Sequence, residues 1–114
     1  MSLTQEVKDQ LNQRSSYYWT KYGLNQENME DMLSACDSSC EICHVRFEAV
    51  GLNKRNVDHC HKTEKVRGLL CTRCNHALGL FRDNPYTMLA AIRYLLKSID
   101  LEVYNEERRL TKVH

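Results

Sequence analysis

The stretch Cys40–Asn75, CEICHVRFEAVGLNKRNVDHCHKTEKVRGLLCTRCN, decides how this chain is read. It opens and nearly closes on two C-x2-C pairs, Cys40/Cys43 and Cys71/Cys74, with 27 residues between them. A C-x-x-C turn presents two thiolates to one metal, and two such turns fill a tetrahedral shell. That closed shell leaves no position for a substrate, so structural zinc is expected on these four cysteines. Zinc suits a chain of 114 residues, whose modest core gains folding free energy from a bound metal. Redox dithiols and disulfide pairs are the competing readings of the spacing. The N-terminus, MSLTQE, carries no basic or apolar signal region, so a cytoplasmic location is expected, which favours the metal.

Between the pairs stands Asp58-His59-Cys60-His61, and Asn75 follows the second pair directly. Asp and Asn oxygens suit a hard ion such as Mg²⁺, which keeps several waters and binds phosphate oxygens. A histidine beside such an ion, outside a filled zinc shell, can act as a general base near neutral pH. Together they read as a one-metal hydrolytic site acting on a phosphate. The plainer alternative makes Asp58, His59 and His61 polar hairpin residues bonded to nearby backbone. The two remaining cysteines, Cys36 and Cys60, are expected to pack as small apolar residues.

Outward from this stretch the chain reads as helix. Leu3, Val7, Leu11 and Tyr18 share a helical spacing over Thr4–Tyr22, with Thr4 as N-cap. The cluster Tyr17-Tyr18-Trp19 reads as a packing face. Gly23 stops this helix, and Asn25 caps a second one to Ala35, with Met29, Met32, Leu33 and Cys36 on one face. Asn56–Cys60 and Lys65–Leu70 read as a β-hairpin joined by His61-Lys62-Thr63-Glu64, with Glu64 where Gly or Asn is usual. A helix is expected over Arg73–Phe81, with Leu78 and Phe81 inward. Asn84-Pro85 then starts a last helix to Ile99, whose buried stripe would be Met88, Leu89, Ile92, Leu95, Leu96 and Ile99. The expected organisation is a helical region over 1–36, a zinc-clamped core over 37–83, and a helix with a polar tail over 84–114, forming one compact domain.

Composition is that of a globular chain: 42% hydrophobic, 27% charged, mean hydropathy −0.59. No run approaches the roughly 18 apolar residues of a membrane span, so no membrane partner is expected. Net charge is only +1, but it is unevenly placed. Residues 1–39 carry a net −3, residues 40–82 a net +4, and residues 83–114 balance. The basic excess therefore surrounds the cysteine pairs, which raises the expectation of a phosphate-bearing ligand. Lys62, Lys65, Arg67 and Arg73 flank the Asp-His cluster and are candidates for backbone phosphate contacts, Arg67 foremost.

The segments CEIC (Cys40–Cys43), VDHCHKT (Val57–Thr63), KVRGLLCTRCN (Lys65–Asn75), ALG (Ala77–Gly79) and AAIRYL (Ala90–Leu95), in this order, resemble the recombination endonuclease VII family of phage and bacterial nucleases. That family lies in the His-Me finger, or ββα-metal, superfamily related to HNH endonucleases. KYGL (Lys21–Leu24) is similar to the family's upstream helical region. The resemblance implies an α+β ββα-metal finger with flanking N- and C-terminal helices. It implies structural zinc on Cys40, Cys43, Cys71 and Cys74, and catalytic Mg²⁺ or Mn²⁺ on Asp58 and Asn75. His59 would be the general base and His61 an auxiliary active-site residue. The implied activity is endonucleolytic cleavage of duplex or branched DNA, leaving a 5′-phosphate and a 3′-hydroxyl. Three positions depart from the pattern. Cys60 stands where some members carry a second Asp, Leu78 where some carry an acid, and Glu64 at a turn Gly. Junction-resolving members carry a longer C-terminal region and act as intertwined dimers; this chain departs from them in ending about 15 residues after the Pro85 helix, and a homodimer stands as a candidate partner. A non-catalytic zinc module binding nucleic acid or protein is the alternative function.

Overall fold

A computed structural model describes residues 3–50 and 54–99. Thr4 starts α1 (Gln5–Gln13), its hydroxyl accepting the Val7 N–H at 3.2 Å. The helix expected to run unbroken to Tyr22 breaks at Arg14, and α2 (Ser15–Tyr22) resumes it. Asn12, Ser15 and Ser16 surround the break, and such side chains compete with the helix for backbone hydrogen bonds. Gly23 ends α2 at φ 68°, donating to the Trp19 carbonyl at 2.9 Å. The left-handed conformation costs glycine little. Asn25 and Asn28 then form a reciprocal capping box at 2.7 and 3.0 Å, and α3 (Gln26–Ala35) follows.

The first cysteine pair lies in a tight turn. Cys40 N–H donates to the Val45 carbonyl and His44 N–H to the Cys40 carbonyl, both at 2.9 Å, with His44 at φ 65°. A short helix, α4 (Phe47–Val50), follows; it has too few residues for any helical periodicity, and the sequence reading missed it. Phe47 at its start is wholly buried.

Strands β1 (Arg55–His59) and β2 (Val66–Cys71) pair antiparallel, Arg55 opposite Cys71 and Asp58 opposite Gly68. The register shifts between Asp58 and His59, so Arg67 has no partner across the ladder. Such a bulge turns a side chain out of the regular alternation. The hairpin closes with Cys60 N–H on the Lys65 carbonyl at 2.8 Å and Glu64 N–H on the Cys60 carbonyl at 2.7 Å. Glu64 takes φ 62°, the left-handed position at which its identity looked unusual. Chain reversal leads into α5 (Thr72–Leu80), which packs against both strands. Arg82 and Asp83, at φ 56° and 54°, turn the chain into α6 (Pro85–Leu96), where the Asn84 side chain accepts the N–H groups of Tyr86 and Thr87.

The core gathers Leu11, Tyr18, Met29, Leu33, Cys40, Phe47, Val57, Leu69, Leu70 and Cys71. It therefore joins the N-terminal helices to the hairpin and to the inner cysteines. Each fully buried large apolar side chain contributes roughly 1.5–3 kcal/mol. Leu3, Val7, Cys36 and Leu78 pack against its margin. Two expectations need correction. Of the Tyr17-Tyr18-Trp19 cluster only Tyr18 is buried, and Trp19 is 62% exposed. The α6 stripe is not buried: the helix has no buried residue, and Leu89, Ile92, Leu95 and Leu96 are all exposed. Met88 and Ile99 are only half-buried. The periodicity makes an apolar face, but none of its residues is buried among the described ones. The polar tail after Ile99 falls outside the described residues.

Candidate functional site

The four expected cysteines converge. One sulfur from each of Cys40, Cys43, Cys71 and Cys74 lies within 4.8 Å of every other. Cys43 and Cys71 sulfurs are 3.7 Å apart. A tetrahedron with metal–sulfur bonds of about 2.3 Å has edges of about 3.8 Å, so this set could hold a metal ion. Burial raises the Cys40 thiol, but N–H groups of the Cys71, Cys43 and Ile42 backbone outweigh it and bring its pKa down to about 7. Burial pushes Cys74 the other way, reinforced by the Cys43, Cys71 and Cys40 sulfurs. Four adjacent thiols cannot all ionise unaided, and a cation among them would supply the missing charge.

Glu41, between the first pair, fastens this clamp to the sheet. Its backbone N–H donates to the Leu69 carbonyl at 3.2 Å, and its carboxylate accepts the Leu69 N–H at 2.8 Å. Gly68 is needed beside it, because a Cβ there would collide with the Glu41 carboxylate.

The Asp-His cluster lies at the turn end of the hairpin, where β1 finishes. Asp58 is buried, and His59 is half-buried on the last residue of the strand. His61, in the turn, is exposed, and its ring stands 4.9 Å from that of His59. Tyr22, from α2, stands 5.8 Å from His59 on another side. Asn75 is half-buried on α5, the helix packed across the hairpin.

The Asp58 carboxylate is held by Arg67, not by Asn75. Arg67 Nε donates to one oxygen at 2.7 Å and Nη2 to the other at 3.0 Å. Nη2 also reaches Asp83, in the α5–α6 turn, at 3.3 Å. The Asp58 hydrogen bond, with Asp83 adding to it, raises the Arg67 guanidinium above its ordinary pKa. The bulge explains the geometry, since it frees Arg67 from the ladder and lets it turn onto Asp58. Lys62, Lys65 and Arg73 are exposed. Lys62 and Arg67 share a cleft of about 540 Å³ with Cys60, His61, Arg82 and Tyr86. Cys60 is half-buried, and the Thr63 hydroxyl together with the Thr63 and Lys62 N–H groups holds its thiol below the usual range.

Arg55, Asp83 and Glu41 escaped the sequence reading. Arg55 alternates with Val57 on β1 and is buried like it. That phase was the available signal, an arginine standing where the pattern calls for an apolar residue.

Fold and site together define a small α+β domain: a two-stranded hairpin and helix clamped by four metal-competent cysteines. The family model for recombination endonuclease VII matches residues 14–97. The chain belongs to that family. It is 40% identical over 100 residues to the Gene 59 protein of Mycobacterium phage D29, and 39% identical to the Gene 59 protein of Mycobacterium phage L5. Each match covers 82% of this chain and 59% of the relative, so the match spans well under two-thirds of the relatives' length. No solved structure matches the chain.

Proposed function

We propose that the chain is a metal-dependent DNA endonuclease of the His-Me finger, ββα-metal type. The observation that carries this is Asp58-His59 at the turn end of a cysteine-clamped hairpin, in a chain of the recombination endonuclease VII family. Zn²⁺ on Cys40, Cys43, Cys71 and Cys74 is structural, holding the core (37–83) between the helical regions 1–36 and 84–114. Asp58 and Asn75 offer the hard oxygens that suit Mg²⁺ or Mn²⁺. Both Asp58 oxygens accept from Arg67, yet each keeps a further lone pair, so Asp58 can still offer an oxygen once the guanidinium shares or yields. Such an ion, when bound, supplies Lewis-acid stabilisation of charge on the phosphate and leaving oxygen.

His59 takes the proton of the attacking water through a neutral imidazole nitrogen. Tyr22 and His61 flank its ring and limit how it turns. His61 reaches the phosphate or the water as an auxiliary donor. Lys62, Lys65 and Arg73 position the DNA backbone, and Arg67 joins them when it leaves Asp58. Products are a 5′-phosphate and a 3′-hydroxyl.

The exposed apolar stripe of α6 fits a homodimer, in which two sites cut branched DNA symmetrically. The cytoplasm of an infected host is the setting that phage relatives favour. No helix among the described residues is long and apolar enough to cross a membrane. The test is a Mg²⁺ titration with branched DNA, plain duplex, single strands and RNA at one salt concentration, alongside the oligomeric state. Mg²⁺-dependent cleavage of a DNA substrate is expected. Binding without cleavage of any substrate would replace the nuclease with a zinc-stabilised binding module.

A further inference from the structure

Away from the acid-histidine cluster, the junction of α1 and α2 with β1 encloses a polar recess of about 70 Å³. Arg14, Tyr17, Tyr18, Tyr22, Arg55 and Asn56 line it. Two guanidiniums converge there on one tyrosine. Arg14 stacks on the Tyr17 and Tyr18 rings, 4.7 and 5.4 Å from their centroids. Arg55 donates from Nη2 to the Tyr18 hydroxyl at 3.3 Å.

Arg55 is 6% exposed, and its buried Nε and Nη1 have no hydrogen-bond partner among the described residues. Neither arginine is paired with a carboxylate among the described residues. A buried, unpaired charge costs several kcal/mol, and a second like charge beside it adds to that cost. Lys21 adds positive field, donating to the Tyr17 hydroxyl at 3.3 Å. A guanidinium fork and tyrosine hydroxyls approaching from several sides match an anion with several acceptor oxygens. The volume is that of one small oxyanion or about two waters.

We infer that this recess is a phosphate-binding site, with Arg55 as its buried base and Arg14 as its outer jaw. Its location ties it to the neighbouring cluster. Arg55 and His59 lie four residues apart on β1, about 13 Å of strand, and Tyr22 lines the recess while standing 5.8 Å from the His59 ring. A phosphodiester a few nucleotides from the one at His59 can therefore seat here. The anion site stands without the nuclease reading; only its link to a nucleic-acid strand rests on that reading.

The test uses the full, metal-loaded chain without added Mg²⁺, so that no cleavage enters the measurement. Inorganic phosphate replaces chloride at matched ionic strength, and Tm is recorded for wild type, Arg14→Gln and Arg55→Met. Phosphate is expected to raise the wild-type Tm by about 5 °C or more near saturation. Arg14→Gln, an exposed change, is expected to fold normally and lose most of that response. Arg55→Met is expected to melt at or above the wild-type temperature without phosphate, since a buried charge is gone, and not to respond to it. If Arg55→Met does not fold, Arg14→Gln still decides.

A short DNA oligonucleotide then competes with phosphate. Competition, with the salt slope of DNA binding reduced by about one in Arg14→Gln, assigns the site to a backbone phosphate. Stabilisation without competition assigns it to a free phosphate. An unchanged wild-type Tm, or an equal response in Arg14→Gln, overturns the site and leaves the recess to water.

Discussion

The clamp-and-hairpin region, Cys40 to Leu80, and α6, Pro85–Leu96, are both rich in apolar residues, yet they solve different problems. In the first, Cys40, Phe47, Val57, Leu69, Leu70 and Cys71 are buried around a two-stranded sheet too small to stand alone. In the second, Leu89, Ile92, Leu95 and Leu96 line a well-capped helix and stay exposed among the described residues. Local signals made both elements; only long-range contacts, cysteine convergence above all, buried the first. An apolar stripe therefore states a need for a partner without saying where the partner is.

The largest effect expected from breaking this contrast is at the clamp. Cys71→Ser, or removal of the metal by a chelator, should unfold the domain. Structural zinc contributes about 10–16 kcal/mol in zinc-finger peptides, more than a core of this size can replace. Circular dichroism with metal analysis checks it, and a well-folded, metal-free Cys71→Ser protein would remove the clamp from the account.

Next comes the chemistry proposed for the hairpin. His59→Ala should lower Mg²⁺-dependent nicking of supercoiled plasmid by at least about 100-fold, with fold and zinc content unchanged. Undiminished nicking would take the general base away from His59.

The third effect compares the two apolar surfaces directly. Leu33→Ala, in the core, should cost about 2–5 kcal/mol, whereas Ile92→Ala should cost less than about 0.5 kcal/mol in dilute solution. Raising protein concentration sharpens the comparison: if α6 joins two copies, Tm climbs with concentration in wild type and less in Ile92→Ala.

The smallest effects concern the stitching of the clamp and the turn. Gly68→Ala should cost about 1 kcal/mol, because the new methyl displaces the Glu41 carboxylate from the Leu69 N–H. Glu64→Gly should gain about 0.5–1 kcal/mol by relieving a left-handed residue in the hairpin loop. Denaturant melts of both variants measure the two changes, and a loss of stability in Glu64→Gly would mean that the Glu64 side chain contributes something its backbone conformation does not show.

Much of the fold was legible from local chemistry. Thr4, Asn25 and Asn84 cap helices as their side chains dictate, and Gly23 stops one. The hairpin strands fell within a residue of their expected places, Arg55–His59 and Val66–Cys71. The four-cysteine convergence followed from spacing because two thiolates in a C-x-x-C turn already face one point. What could not be read depended on distant groups. The break at Arg14 has no Pro or Gly to mark it. The bulge that puts Arg67 on Asp58 is a property of the strand pair, invisible in either strand alone. Arg55 shares the strand phase of Val57, so its burial is legible there, but its partner, the Tyr18 hydroxyl 37 residues away, is not.

Arg67 has a mechanical consequence. One guanidinium grips Asp58 on β1 and Asp83 in the turn before α6. Asp83 and its neighbour Arg82 both sit in the left-handed backbone region, where ordinary residues are held under strain. Through Arg67 the proposed catalytic strand and the root of the exposed helix share one guanidinium. Whatever seats on α6 and resets that turn also slackens or tightens the hold on the Asp58 carboxylate, about one side chain's length away.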